Sequence, residues 1–101
     1  MDKTEILRCV QNAEPVLEQD LSGMDLDGAD LSATLFERCT FNGTRMARAD
    51  LSASQFVRCV FARTDLSGCI AMGTAFMESR FERVVMAGAT LGNVSVFQCQ
   101  I

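Results

Sequence analysis

The residues whose types could do chemistry are five cysteines, a series of aspartates and two pairs of arginines. Cys9, Cys39, Cys59, Cys69 and Cys99 contain no C-x-x-C pair, and the chain has no histidine. Zinc binding and Cys–His nucleophilic catalysis therefore lack their usual donor sets. Asp20, Asp25 and Asp30 follow at five-residue intervals, and a carboxylate site would need them to converge. Asp25-Leu26-Asp27-Gly28 resembles the start of a calcium loop, but the later ligands and the closing Glu of such a loop are missing. Arg38 and Arg58 repeat at a spacing of twenty, as do Arg63 and Arg83. Stacked at that spacing, each pair could hold a phosphate or a partner's carboxylates, or simply form a solvated corner. The expectation is no catalytic residue, no cofactor and no metal.

What must position these residues is a period of five. Every fifth residue from Leu21 to Ile101 is large and apolar except Ala71, and six of the seven Phe fall in this series. The residues two before them, such as Ala29, Cys39, Ser54 and Thr64, are small or medium-sized. A helix repeats every 3.6 residues and a strand every two, so five fits neither. A fixed short period instead specifies a solenoid whose units bury their apolar faces only by stacking. Two inward residues spaced by two suit a very short strand, and the next two must turn a corner. Gly23, Gly43, Gly68 and Asn93 stand at such corners and tolerate turn dihedrals.

Ala29-Asp30-Leu31-Ser32-Ala33, Ala49-Asp50-Leu51-Ser52-Ala53 and Thr64-Asp65-Leu66-Ser67-Gly68 resemble the A-(D/N)-L-X-X motif of the pentapeptide-repeat family. The resemblance covers residues 19–101. It implies an all-β fold: a right-handed quadrilateral β-helix of four pentamers, hence twenty residues, per coil. In such a fold Asp20, Asp25 and Asp30 lie on successive faces and diverge. Columns at a spacing of twenty are uniform in type. Phe41, Phe61 and Phe81 form one, and Phe36, Phe56 and Phe76 the next. Leu26, Met46, Leu66 and Met86 form a third, and Leu31, Leu51, Ala71 and Leu91 a fourth. With coils about 4.8 Å apart, roughly four coils make a rod about 20 Å long. Small Ala71 beside small Cys69 predicts a thin or hollow core, or an inward shift of the wall, in that coil. Asp25, Arg45 and Asp65 read as a surface charge ladder.

Residues 1–18 precede the repeat as an N-terminal cap segment, and residues 19–101 form the solenoid. Thr4 is placed to cap a short helix over roughly Glu5 to Ala13, ended by Pro15, that covers the open end of the coil stack. No apolar run is long enough to span a bilayer, and no secretory signal precedes the repeat. Five thiols in such a chain read as reduced, which places the protein in the cytoplasm. Residues 1–30 carry eight acids and two bases, a charge of −6; residues 31–101 carry five acids and seven bases, a charge of +2.

Outward residues become apolar along the rod. Val57, Met72, Met77, Phe97 and Ile101 form a candidate interface, and a homodimer through the C-terminal coil is expected. The expected function is a non-enzymatic protein–protein interaction or scaffold module. Family members also occur as tails of adaptors encoded with bacterial type VI secretion systems, and the segment Leu21–Leu31 resembles the opening of those tails. The alternative implied by the resemblance is a DNA mimic that binds DNA gyrase and protects it from quinolones. Mimicry needs an acidic rod, so the +2 charge of residues 31–101 argues against it. Nucleic acid and membrane are not expected partners.

Overall fold

The computed structural model describes all of residues 1–101. The chain forms a four-sided, right-handed β-solenoid of about four turns with one short helix at its N-terminus, measuring 28 × 24 × 24 Å. Strands β1 (Val16–Leu17), β2 (Leu35–Glu37), β3 (Gln55–Val57), β5 (Ala75–Met77) and β7 (Ser95–Phe97) stack as a parallel sheet on one side. Strands β4 (Val60–Ala62) and β6 (Arg80–Glu82) pair on the next side. Every pairing joins residues twenty apart, as in Val16↔Phe36 and Phe56↔Phe76. The remaining sides are held by isolated parallel bridges such as Asp25↔Arg45 and Asp50↔Ile70. We call the four sides A to D in chain order, with side A carrying the five-stranded sheet.

Backbone hydrogen bonding follows directly from the repeat. The inward residue donates to the following coil, as Leu21 N–H does to the Thr40 carbonyl at 2.8 Å. The residue before an inward position donates to the preceding coil, as Thr40 N–H does to Gln19 at 3.0 Å. Between sides, the chain turns through one residue in the left-handed region. Gly68 has φ 64°, and at the equivalent corners Arg58, Ala53 and Arg63 have φ 53°, 60° and 52°. The turn is thus imposed even where the residue has a side chain, and each such position carries backbone strain.

The core is a continuous cluster of buried residues from Ile6 to Phe76. Phe41 and Phe61 stack with centroids 4.8 Å apart and planes 3° from parallel, and Phe61 continues onto Phe81 at 5.1 Å and 6°. Rings on adjoining sides meet edge to face, as Phe56 and Phe61 do at 5.4 Å. Both geometries are favourable beyond the area they bury. No buried side-chain nitrogen or oxygen lacks a partner.

Three expectations are corrected by the structure. The helix α1 spans Lys3–Gln11, and its N-cap is Asp2, not Thr4. Asp2 and Glu5 form a reciprocal capping box, which satisfies two amides at once and outcompetes a single Thr hydroxyl. The helix ends well before Pro15, where Ala13 turns left-handed at φ 56°. Ile6 is its buried residue, while Ala13 is exposed. The β-sheet also starts earlier than residue 19: Val16 is fully buried and paired with Phe36. Val16 stands five before Leu21 and so continues the inward series. At Ala71 the expected hollow is absent: the residue is fully buried and lines none of the cavities.

Candidate interaction surface

Each side shows two outward residues per coil, flanking the inward one. On side A one outward row is Leu17, Glu37, Val57, Met77 and Phe97, in direct register from strand to strand. The other is Pro15, Leu35, Gln55, Ala75 and Ser95. Glu37 is the one charged residue among these ten positions. Sides B, C and D differ: Arg80 and Glu82 stand on B, Asp25, Asp27, Arg45 and Asp65 on C, and Asp30 and Asp50 on D. Phe97 is 58% exposed, with Leu17 and Met77 also exposed at the surface. Side A carries the sheet with the most strands in the molecule, five against two on side B, so this apolar row runs from the first coil to the last.

The structure brings Val57, Met77 and Phe97 together in one row. It places the other two candidate residues elsewhere. Met72 stands on side D, where its Cε and Sδ cover the backbone of Gly92 in the next coil. Ile101 is on side B at the end of the last coil and 95% exposed. It lines an apolar cup of about 370 Å³ with Phe76, Phe81, Met86, Leu91 and Val96, and Arg83 at the same mouth. Leu91 and Val96 hold inward positions and are exposed at this cup.

Charged side chains are organised along the corners. On the corner following side A, Arg58 binds Glu78 at 2.9 Å and Glu37 at 3.5 Å, and Arg38 stands 4.0 Å from Glu18. The Arg38/Arg58 corner is therefore compensated by its own carboxylates. Arg63 and Arg83 make no ion pair; Arg63 lines a shallow groove of about 270 Å³ with Asn42, Gly43 and Glu82. Asp25, Arg45 and Asp65 stand in register as a column of alternating charge, but the direct ion pair of Arg45 is with Asp27, at 3.0 Å, and not with either column neighbour. Asp27 also accepts from the Ala47 amide at 2.9 Å, so the calcium-like tetrapeptide is engaged with the protein itself.

The aspartates serve the corners. Asp20, Asp25, Asp30, Asp50 and Asp65 each accept from the amide two residues on, at 2.9–3.1 Å. The Ser32 hydroxyl adds a 2.6 Å bond to Asp30. These bonds, the serine hydroxyl first and the amide second, hold the Asp20, Asp30 and Asp65 carboxyls below the ordinary range. No group of three or more Cys, Asp or Glu is placed to hold a metal ion.

Cys39, Cys59, Cys69 and Cys99 hold inward positions, Cys9 packs against the core from α1, and all five are free thiols. Cys39, Cys59 and Cys99 donate to carbonyls of the coil before them, at 3.2–3.3 Å. Its contact with Cys39, and then burial, push the Cys59 thiol up; burial does the same to Cys69. Neither is activated as a nucleophile.

The repeat geometry defines a class, the pentapeptide-repeat β-solenoid. The family described as Pentapeptide repeats matches in eight copies over residues 20–52 and 44–83. The chain belongs to the pentapeptide-repeat family. None of the curated proteins matches the sequence at a significant level. Among solved structures, a trypsin-treated variant of QnrB1, a plasmid-mediated fluoroquinolone resistance protein, superposes with a TM-score of 0.81 at 24% identity, over 86% of this chain and 45% of that one. A second trypsin-treated QnrB1 variant gives a TM-score of 0.74 at 26% identity, over 81% of this chain and 45% of that one. A pentapeptide repeat protein of the Arabidopsis thaliana thylakoid lumen gives 0.52 at 17% identity, over 79% and 60%. The matched part of this chain thus covers less than half of either trypsin-treated QnrB1 chain. No helix is long and apolar enough to cross a membrane.

Proposed function

We propose that this chain is a non-enzymatic protein-interaction module of the bacterial cytoplasm, and that it works as a rigid scaffold. The observation that carries this is the apolar row Val57, Met77 and Phe97 on a sheet face with one charge in ten outward positions. Exposed apolar residues aligned on a rigid surface favour burial against a partner protein. The cup at Ile101 extends the surface to the end of the last coil, and there a homodimer through the C-terminal coil is the simplest closed assembly. The cellular setting proposed is an adaptor domain in bacterial secretion, which rests on the opening segment Leu21–Leu31. Pull-down from source cytosol with wild type and Met77→Asp tests the module. A partner captured by wild type and lost by the variant, at unchanged melting temperature, is expected. Equal capture by both overturns it.

A second reading is gyrase protection. It is supported by the 26% identity and 0.74 TM-score to QnrB1, and opposed by the +2 charge of residues 31–101. A gyrase supercoiling assay in the presence of a fluoroquinolone decides it: restored supercoiling on addition of the protein favours this reading, and no effect rejects it.

A further inference from the structure

We propose that side A is a lateral interface through which two copies of this chain pair side by side, with their rods parallel. This rests on the reading of the chain as an interaction module and is separate from contact through the C-terminal coil. Three observations point to a second copy as the occupant.

The first is pitch. A partner that covers side A must match rows repeating at about 4.8 Å. An α-helix, with a pitch near 5.4 Å, falls out of step along the rod. Another coil stack of the same spacing stays in step at every level. The rows are also straight: successive rings under side A, Phe36, Phe56 and Phe76, are only 5° and 12° from parallel.

The second is shape. Side A carries its own complement, because the bulky row ending in Val57, Met77 and Phe97 runs beside a row ending in Gln55, Ala75 and Ser95. A two-fold axis parallel to the rod, lying in the interface, reverses the strand direction and preserves the level. It therefore sets Met77 over the partner copy's alanine position 75 and Phe97 over its serine position 95, twice by symmetry.

The third is charge. The corner after side A bears Glu18, Arg38, Arg58 and Glu78, whereas the corner before it bears Ala33, Ala53, Gly73 and Asn93. The same rotation lays each charged edge along the other copy's edge of Ala33, Ala53, Gly73 and Asn93, so like charges meet only in the first coil, where Glu14 stands beside Ala33 and Ala53. An antiparallel arrangement about an axis along the strands would instead bring the two charged corners together. Within the face, Glu37 is already bound by Arg58.

The contact is small by the standard of stable complexes, so pairing is expected at concentrations of about 0.1–1 mM. Sedimentation equilibrium over that range tests it in the Ile101→Asp background, which removes contact through the chain end. Ile101→Asp alone should still dimerise, and adding Ala75→Arg should abolish the dimer with no change in melting temperature. If Ala75→Arg lowers the melting temperature, exposed Gln55→Arg in the same row replaces it with the same expected loss. A monomer for Ile101→Asp throughout the range, or a dimer indifferent to both arginine variants, overturns the proposal. Side A lost as a protein contact in pull-down while Ile101→Asp remains monomeric would leave the module standing and reject the second copy as its occupant.

Discussion

The Thr64 hydroxyl donates to the Phe41 carbonyl at 2.6 Å, across twenty-three residues. That separation is one coil plus three residues. It recurs from Thr44 to Leu21, Ser54 to Leu31 and Thr74 to Leu51 at 2.6–2.7 Å, and the Cys39 and Cys59 thiols repeat it at 3.3 Å. The carbonyl of an inward residue sits at a corner, where the chain leaves the strand direction. A small hydroxyl or thiol at the inward position of the next coil reaches it. The small residue of each pentamer is thus a coil-to-coil tie as well as a space-filler.

Thr64→Val keeps the shape and removes this donor. The Phe41 carbonyl retains only the longer Thr44 amide bond at 3.3 Å. A loss of about 1–2 kcal/mol is expected in urea unfolding. An unchanged midpoint would mean that the tie contributes nothing.

Phe61→Ala is expected to cost more than Leu31→Ala. Phe61 is stacked on both sides and touched edge-on by Phe56 and Phe76, and its truncation should cost about 3–5 kcal/mol. Leu31 is equally buried but smaller. Comparable denaturation midpoints for the two variants would contradict this ranking.

Ala53 and Gly73 occupy the same corner one coil apart, at φ 60° and 69°. Ala53→Gly should relieve strain and raise stability by up to about 1 kcal/mol, whereas Gly73→Ala should lower it by about 1 kcal/mol. A Cβ on Gly73 meets nothing within 4 Å, so the effect there is one of backbone conformation alone. Opposite signs in thermal melts check it.

Asp30 has its carboxyl held low by the Ser32 hydroxyl and then by the Ser32 amide. A depressed folded-state value means the contribution is present above the unfolded value and lost as pH falls through the folded one. The Asp30 contribution should therefore be lost only as pH falls below about 4. Ser32→Ala should raise the Asp30 value toward the ordinary range, read by carboxyl NMR titration. No movement would assign the shift to the amide.

Ala71→Leu should destabilise by about 1–3 kcal/mol, because Ala71 is fully buried with no cavity beside it. Equal or greater stability would reveal a wall that yields outward.

The inward series was legible in the residues themselves. Leu21, Leu26, Leu31 and Phe36 recur without a break, and a five-residue unit has one way to bury such a series, by stacking coil on coil. The columns of Phe follow from arithmetic at a spacing of twenty. Val16 was equally open to view, since it is the same series one step earlier. The candidate surface was legible only in part. Val57, Met77 and Phe97 share one row because they are twenty apart, but Met72 and Ile101 are apolar and exposed for reasons of their own.

Other features depend on which way long side chains turn across neighbouring coils. Arg58 spans Glu37 and Glu78, and Arg45 chooses Asp27 over both its column neighbours. Spacing cannot decide such choices, because rotamers and the corner's left-handed backbone aim each guanidinium. The helix start at Asp2 likewise depended on a reciprocal bond with Glu5 that competes with the Thr4 hydroxyl. Period and burial belong to the linear sequence because every coil solves the same packing problem. Pairings between coils belong to the tertiary structure, because each is settled by the geometry of the two side chains that meet there.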